Sequence, residues 1–473
     1  MNSLKKNILY NSIYQFMIMF LPFVTAPYLS RVIGASGVGT YSYAYSVAQY
    51  FVFIAMLGLN NYGNRTIATV SDNRIRKSEI FSEIYCMQVT TALFSVLLYI
   101  LYSFFAEDRT SALIMILYVV SSLFDINWFF FGTENFKITI TRNVIAKIIS
   151  MVLVFLLIKT AKDTYIYVLI MALSTLISQL LLWPFLKKEI DFKIPKWYNI
   201  KKHYKPNLKL FIPVIAVSIY KVMDKIMLGK MSTTTSVGYY EYAEKIYNIP
   251  LLFVTALGTV MLPRIAYYYS KSKIQEAKKF FSISMEYVLA FANAAMFGLM
   301  AISHDFVILY YGNDFEKSAV IINFLAITTV FLAAGNVLRT QYLIPKKLDK
   351  IYIRSAVYGA IINFIVNLIL IPIWDTVGAA IGTIIAELVV FFYQLISVRK
   401  IVDVSNIFIT EVQYFIVGLV MYVVVLLISS DNMLFSLIAK VCVGGIIYLI
   451  GFVAVYFKKY KTVPIICFFR KNS

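Results

Sequence analysis

Apolar residues run in long unbroken blocks along this chain, and polar residues gather between the blocks. Crossing the hydrocarbon of a bilayer takes about 20 apolar residues in helix, at about 1.5 Å each. Fourteen blocks meet that length, near residues 8–30, 40–62, 83–105, 111–131, 141–159, 164–186, 208–229, 239–262, 281–303, 318–340, 353–372, 377–398, 410–428 and 434–457. Runs such as "MVLVFLLI" do not alternate as barrel strands would. A helix satisfies its own backbone in lipid, so the pattern predicts an all-α polytopic membrane protein with 14 transmembrane helices.

The pattern also repeats. "VGTYSYA" (38–44) opens the second block and "VGYYEYA" (237–243) opens the eighth. The register persists through the block: Arg65 in "GNRTIA" lies 199 positions before Arg264 in "LPRIA", and Gly58 lies 200 before Gly258. Six spans copied once give two halves that enter the membrane in the same direction, because six is even. The expected division is 1–200, 201–402 and an appended pair of helices with a tail at 403–473.

Composition agrees with lipid as the solvent. The chain is 60% hydrophobic and 14% charged, whereas soluble domains are about 45–50% apolar and about 25% charged. The net charge of +20 does not call for nucleic acid. With both ends placed on the cytoplasmic side, the outer loops carry only Arg31, Arg109, Lys159, Lys162, Lys230 and Lys317 among the bases. The positive excess then lies inside, as the positive-inside rule expects. The loop "KKEIDFKIPKWYNIKKHYKPNLK" (187–209) holds eight lysines, with Trp197 and Tyr198 at the interface. It joins the halves and reads as an inner-surface anchor, or as a helix lying on anionic lipid. The N-terminal block lacks a small-residue cleavage site and is read as a retained span. Three dispersed cysteines suggest neither a disulfide framework nor a metal cluster.

No Gly-rich phosphate loop ending in Gly-Lys-Ser/Thr occurs, no His/Cys/acid set has metal-ligand spacing, and the outer loops are short. The sequence therefore points to neither an ATPase, a cofactor enzyme nor a membrane-embedded polymerase. What remains is charge inside apolar spans, where ionisable groups are costly and mark polar pathways. Lys221, Asp224 and Lys225 share one helical face in "YKVMDKIMLG". Glu241, Glu244 and Lys245 follow in span 8; Asp125, Lys147, Glu286, Glu387 and Lys440 complete the set. Glu286 and Lys440 are placed to reach the inner and outer surfaces. Pro22, Pro27, Pro213 and Pro250 lie in the first two spans of each half or at their edges, and suit helices that kink.

"PYLSRVIGASGVGTYSYA", "FDINWFFFGTENF", "MDKIMLG", "VGYYEYAEKIYNIP", "TVMLPRIA", "LYYGNDF" and "NVLRTQYLIP" occur in that order. Together they resemble the Wzx-type polysaccharide flippases of the multidrug/oligosaccharidyl-lipid/polysaccharide (MOP) superfamily. Arg339 departs from the glycine of that family's N-x-L-G-x-Q pattern. The resemblance implies two parallel six-helix bundles around a central cavity plus a C-terminal helix pair, in the bacterial plasma membrane. It implies alternating access by a non-enzyme that moves undecaprenyl-diphosphate-linked oligosaccharide repeat units outward for O-antigen, capsule or exopolysaccharide. A polysaccharide polymerase and a chain-length regulator would be its partners, beside membrane lipid. Lys221, Lys225, Lys147, Arg31 and Arg264 are then the candidate cations for the diphosphate, and Asp224 or Asp125 the candidate coupling-ion site. A lipid II flippase and a multidrug-and-toxin exporter of the same superfamily are the alternatives.

Overall fold

The computed structural model describes residues 21–399 and 402–461; in the helix Trp197–Met231 the side chains of 212, 213, 216, 217 and 219–221 lie outside the described set. Among the described residues every regular element is a helix. In chain order these are α1 (described over 21–32), α2 (Gly34–Met56), α3 (Leu59–Ala68), α4 (Arg74–Phe105), α5 (Arg109–Val120), α6 (Asn127–Gly132), α7 (Phe136–Leu157) and α8 (Thr164–Leu180). They continue as α9 (Trp183–Leu186), α10 (Trp197–Met231), α11 (Thr234–Ser270), α12 (Ile274–Tyr311), α13 (Glu316–Leu338), α14 (Asp349–Val398), α15 (Val404–Leu426) and α16 (Met433–Tyr460). Eleven helical segments among the described residues are long and apolar enough to cross a membrane. Leu101, Ile373, Leu426 and Leu449 stand exposed on such segments, a surface suited to lipid.

Several expected spans differ in detail. The first lies largely before residue 21, outside the described residues. The eleventh and twelfth are two arms of α14, which turns at Asp375 (φ 51°, ψ −126°). Gln394 bonds to Ser355 at 2.9 Å, and Gly359, Gly382 and Gly378 lie against Val390, Asn367 and Leu370, so the arms run antiparallel. The second span is divided at Leu57 into α2 and α3. The fourth unwinds after α5 through a short 3-10 turn (Ser121–Leu123) before α6 resumes. Pro250 and Pro263 mark no break, since α11 stays helical through both, whereas Pro372 lies three residues before the turn at Asp375. Pro213 has no described side chain. The basic loop becomes helix too, since α10 starts at Trp197 and runs without interruption to Met231.

Backbone freed by a break in lipid needs a partner. Gln88 of α4, fully buried, supplies it for the fourth span. Its Nε2 donates to the carbonyls of Ser122 (2.7 Å) and Asp125 (2.9 Å), and its Oε1 accepts from Trp128 Nε1 (2.9 Å). Asn73, Asp108, Asp403 and Asn432 cap α4, α5, α15 and α16 by accepting backbone N–H bonds.

The chain divides into two compact units, Met1–Gly238 and Tyr239–Ser473. In the first, Trp128, Phe81 and Phe129 centre one core and Tyr99, Met115 and Val168 another. In the second, α12 is the hub, with α13, α15 and α16 packed on it. The pair α15–α16 is tied to α12 at three levels. Glu286 accepts from Lys459 Nζ (3.0 Å), Tyr460 (2.6 Å) and Tyr414 (3.2 Å) at one end. Asn293 donates to Glu411 (3.0 Å) in the middle. Asp305 accepts from Lys440 Nζ (2.7 Å) and Ser436 (3.1 Å) at the other end. Glu286 and Lys440, expected to reach the surfaces, are instead paired inside the protein, because each finds an opposite charge on the neighbouring helix.

Candidate functional site

The unwound stretch of the fourth span places Asp125 in the first unit without a direct base. Asp125 Oδ1 accepts from the backbone N–H of Asn127 (3.0 Å) and from its Nδ2 (2.7 Å). Asn127 Oδ1 in turn accepts from Arg142 of α7 at 2.6 Å. The Arg142 guanidinium also donates to the Ser178 carbonyl (2.5 Å) and to Gln179 Oε1 (2.8 Å) of α8. Arg142 is 5% exposed. A planar fork of donors suits this task, since it reaches several acceptors on two elements at once. The sequence reading did not single out Arg142; the signal for it was an acid in an apolar span with no base nearby on its own helix.

Lys147 lies further along α7, half-buried. Among the described residues its ammonium has no hydrogen bond and no ion pair. Asp224 of α10 is buried and takes part in further contacts. Lys225 beside it is half-buried and takes part in further contacts. The Lys221 side chain lies outside the described residues. Arg31 is exposed and donates to the Pro27 carbonyl (2.7 Å). Arg264, in the second unit, is exposed, with its guanidinium 4.5 Å from the Phe280 ring centre. Glu241 pairs with Lys245 (3.2 Å), whose ammonium stands over the Tyr242 ring (4.7 Å). Thus Asp125 and Arg142 meet through Asn127, while Arg31 and Arg264 stay on the surface of their own units.

A second cluster escaped the sequence reading. His203, in the stretch of α10 before the seventh span, is 3% exposed between Tyr62 and Glu83. Its Nδ1 is 2.6 Å from the Tyr62 hydroxyl and its Nε2 is 3.0 Å from Glu83 Oε2, which also receives Lys202 Nζ (2.9 Å). A neutral ring satisfies both contacts, accepting from Tyr62 and donating to Glu83. Burial pushes the imidazole below its ordinary value, and Glu83 offsets part of that shift.

The repeated motifs themselves touch. A Cβ added to Gly39 would lie 1.6 Å from the Thr234 carbonyl oxygen, and one added to Gly238 would lie 2.0 Å from that of Ala35. Thr234 and Gly238 occupy, one copy later, the places of Ala35 and Gly39. Each glycine therefore takes the other copy's carbonyl, a reciprocal crossing of α2 with the start of α11 that only residues without Cβ permit.

A family model described as polysaccharide biosynthesis protein matches residues 4–269. The chain belongs to this family. The Wzx-type resemblance carried by its motifs is upheld. The chain is 21% identical over 406 residues to a putative O-antigen transporter of Escherichia coli K12, covering 84% of this chain and 97% of that one. To the capsular polysaccharide biosynthesis protein CapF of Staphylococcus aureus it is 22% identical over 381 residues, covering 76% and 91%. Among solved structures, the lipid II flippase MurJ in its inward closed conformation superposes with a TM-score of 0.79 at 19% identity, covering 96% of this chain and all of that one. This family member therefore has the MurJ fold and is a multi-pass membrane protein.

Proposed function

We propose that this chain is a flippase that carries undecaprenyl-diphosphate-linked oligosaccharide repeat units from the cytoplasmic to the outer face of the plasma membrane. It does so by alternating access, and its cargo serves O-antigen, capsule or exopolysaccharide synthesis. Family membership supports the reading, as do relatives named for O-antigen transport and capsular polysaccharide. The observation that carries it is Lys147. An ammonium half-buried in an apolar span, with no partner among the described residues, is costly unless an anion visits it. A diphosphate headgroup is such an anion. Lys225, Lys221, Arg31 and Arg264 complete the proposed cation set along its route. Arg31 and Arg264, exposed, meet it at entry or exit. Sugars bind to tyrosine hydroxyls and ring faces, and the lipid tail stays in the bilayer.

The proposed topology has 14 spans with both termini cytoplasmic: two six-helix repeats over 1–200 and 201–402, then the pair within 403–473. A polysaccharide polymerase and a chain-length regulator take over the product. Asp224 or Asp125 binds the coupling ion.

The test is deletion of the gene followed by sidedness labelling of lipid-linked oligosaccharides. Complete repeat units accumulate on the cytoplasmic face. The wild-type chain clears them and Lys147→Ala does not, although it reaches the membrane at normal level. Repeat units that reach the outer face normally in the deletion strain refute the reading. Accumulation of lipid II instead of repeat units assigns the chain to cell-wall precursor export.

A further inference from the structure

We propose that a small cavity in the first unit, beside the glycine crossing, is a binding site for one monovalent cation of sodium size. The cavity measures about 20 Å³. That is room for a single water-sized occupant, since one needs about 10–15 Å³ by the same measure. The lining residues that carry side-chain oxygens are Asp108, Thr40, Tyr99, Ser111 and, at the start of α11, Thr234, with Tyr43 and Tyr102 alongside. The rest of the wall is aliphatic.

Two of these hydroxyls are the decisive observation. Tyr99 and Ser111 are each 1% exposed, and among the described residues neither Tyr99 Oη nor Ser111 Oγ has a hydrogen-bond partner. Buried polar atoms are rarely left so, and an unpartnered pair on one small cavity calls for an occupant. The carboxylate is held in place. Asp108 Oδ1 accepts from the Ser111 backbone N–H at 3.1 Å as the cap of α5, and the carboxylate also accepts from the Tyr165 hydroxyl, leaving further lone pairs for an ion. The bases on either side of it are engaged elsewhere: Lys230 bonds to Glu107 (2.7 Å), and the Arg109 guanidinium lies 5.3 Å from the Phe104 ring centre. One anionic oxygen plus neutral hydroxyls matches a hard cation, which takes oxygen ligands. A divalent ion would want more carboxylate charge than a single Asp supplies.

The occupant would join four elements. Thr40 follows Gly39 on α2, Tyr99 is on α4, Ser111 on α5, and Thr234 is the α11 residue whose carbonyl meets Gly39. A bound cation therefore holds the start of α11 against the first bundle. In the proposed topology this end faces outward, so the ion arrives from outside and favours the closed crossing. Binding itself does not depend on the transport reading; the direction of arrival does.

The experiment uses the purified full-length chain in detergent. Its thermal unfolding midpoint is followed against NaCl, with choline chloride holding ionic strength constant. We expect a saturable rise with Na⁺ that choline does not give. Ser111→Ala and Asp108→Asn weaken half-saturation by about tenfold or more, roughly one tenth of the wild-type affinity. Asparagine still caps a helix, so loss of the response in Asp108→Asn reports lost charge and not a lost α5. Equal midpoints in Na⁺ and choline mean that the cavity holds water only, and overturn the proposal. So does a Na⁺ response kept in Asp108→Asn and lost in Asp224→Asn, which places the ion elsewhere. No transport is read, so failure here is separate from failure of the flippase reading.

Discussion

Arg142 is the group on which the first unit's polar interior depends, and Arg142→Met tests this. Its guanidinium makes three short contacts, at 2.5, 2.8 and 2.6 Å, to Ser178, Gln179 and Asn127. Charged hydrogen bonds contribute about 1.5–3 kcal/mol each, and such values do not add within one network. Breaking a buried charged contact by removing one partner costs about 3–5 kcal/mol, which is the expected loss. Methionine keeps most of the volume, so packing contributes little. Arg142→Lys keeps the charge but not the fork, and should lose less than half as much. The assay is reversible unfolding in mixed detergent and SDS micelles. The double variant with Asp125→Asn tells relay from simple cross-link. If the guanidinium stabilises the Asp125 carboxylate through Asn127, the double variant recovers about 1–2 kcal/mol of the loss. A cost below about 1 kcal/mol for Arg142→Met, or strict additivity of the two substitutions, refutes the relay.

Gly39→Ala should separate α2 from α11, because the new Cβ would meet the Thr234 carbonyl at 1.6 Å; cross-linking of cysteines placed on the two helices should fall, and an unchanged yield would contradict the crossing. Lys440→Ala strands Asp305, whose side chain is only 12% exposed, and should cost about 3 kcal/mol, while adding Asp305→Asn should restore more than half of it. Stability should also depend on pH through His203. Its folded value lies below the ordinary one of about 6.5, so the unfolded chain takes up a proton first and stability falls as pH drops through that value. His203→Asn should flatten this part of the profile, measured as unfolding midpoint against pH; an unaltered slope would assign the dependence to other groups.

The all-helical, multi-pass character was legible because it is written in unbroken apolar blocks. "VGTYSYA" and "VGYYEYA" proved to matter more than their span-opening position suggested, since their glycines meet. The breaks were not legible. Leu57 is an apolar residue in an apolar block, and nothing in that pattern marks its positive φ. The unwinding at 121–126 is made tolerable by Gln88, some 35 residues earlier and on another helix. Charge pairs such as Asp305–Lys440 and Glu286–Lys459 join residues more than a hundred positions apart. A span-by-span reading therefore sees two isolated charges and sends each to the nearest surface. The cation candidates were found by residue type alone, so Lys147, unpaired among the described residues, was proposed on the same footing as the exposed Arg31 and Arg264, while Arg142 was passed over.

The last two helices have a consequence for anyone who would shorten the chain. Their lysines neutralise acids that belong to α12, one near each end. A chain cut at residue 402 would keep Glu286 and Asp305 and lose Lys459 and Lys440. Glu286 would then be bare, and Asp305 would keep only the exposed His304 beside it, along a helix that forms the centre of its unit. The terminal pair is thus not a detachable appendage, even though the internal duplication stops short of it. A minimal version of this protein would need Glu286→Gln and Asp305→Asn together with the truncation. Natural relatives that end earlier are expected to carry uncharged residues at those two places on the corresponding helix.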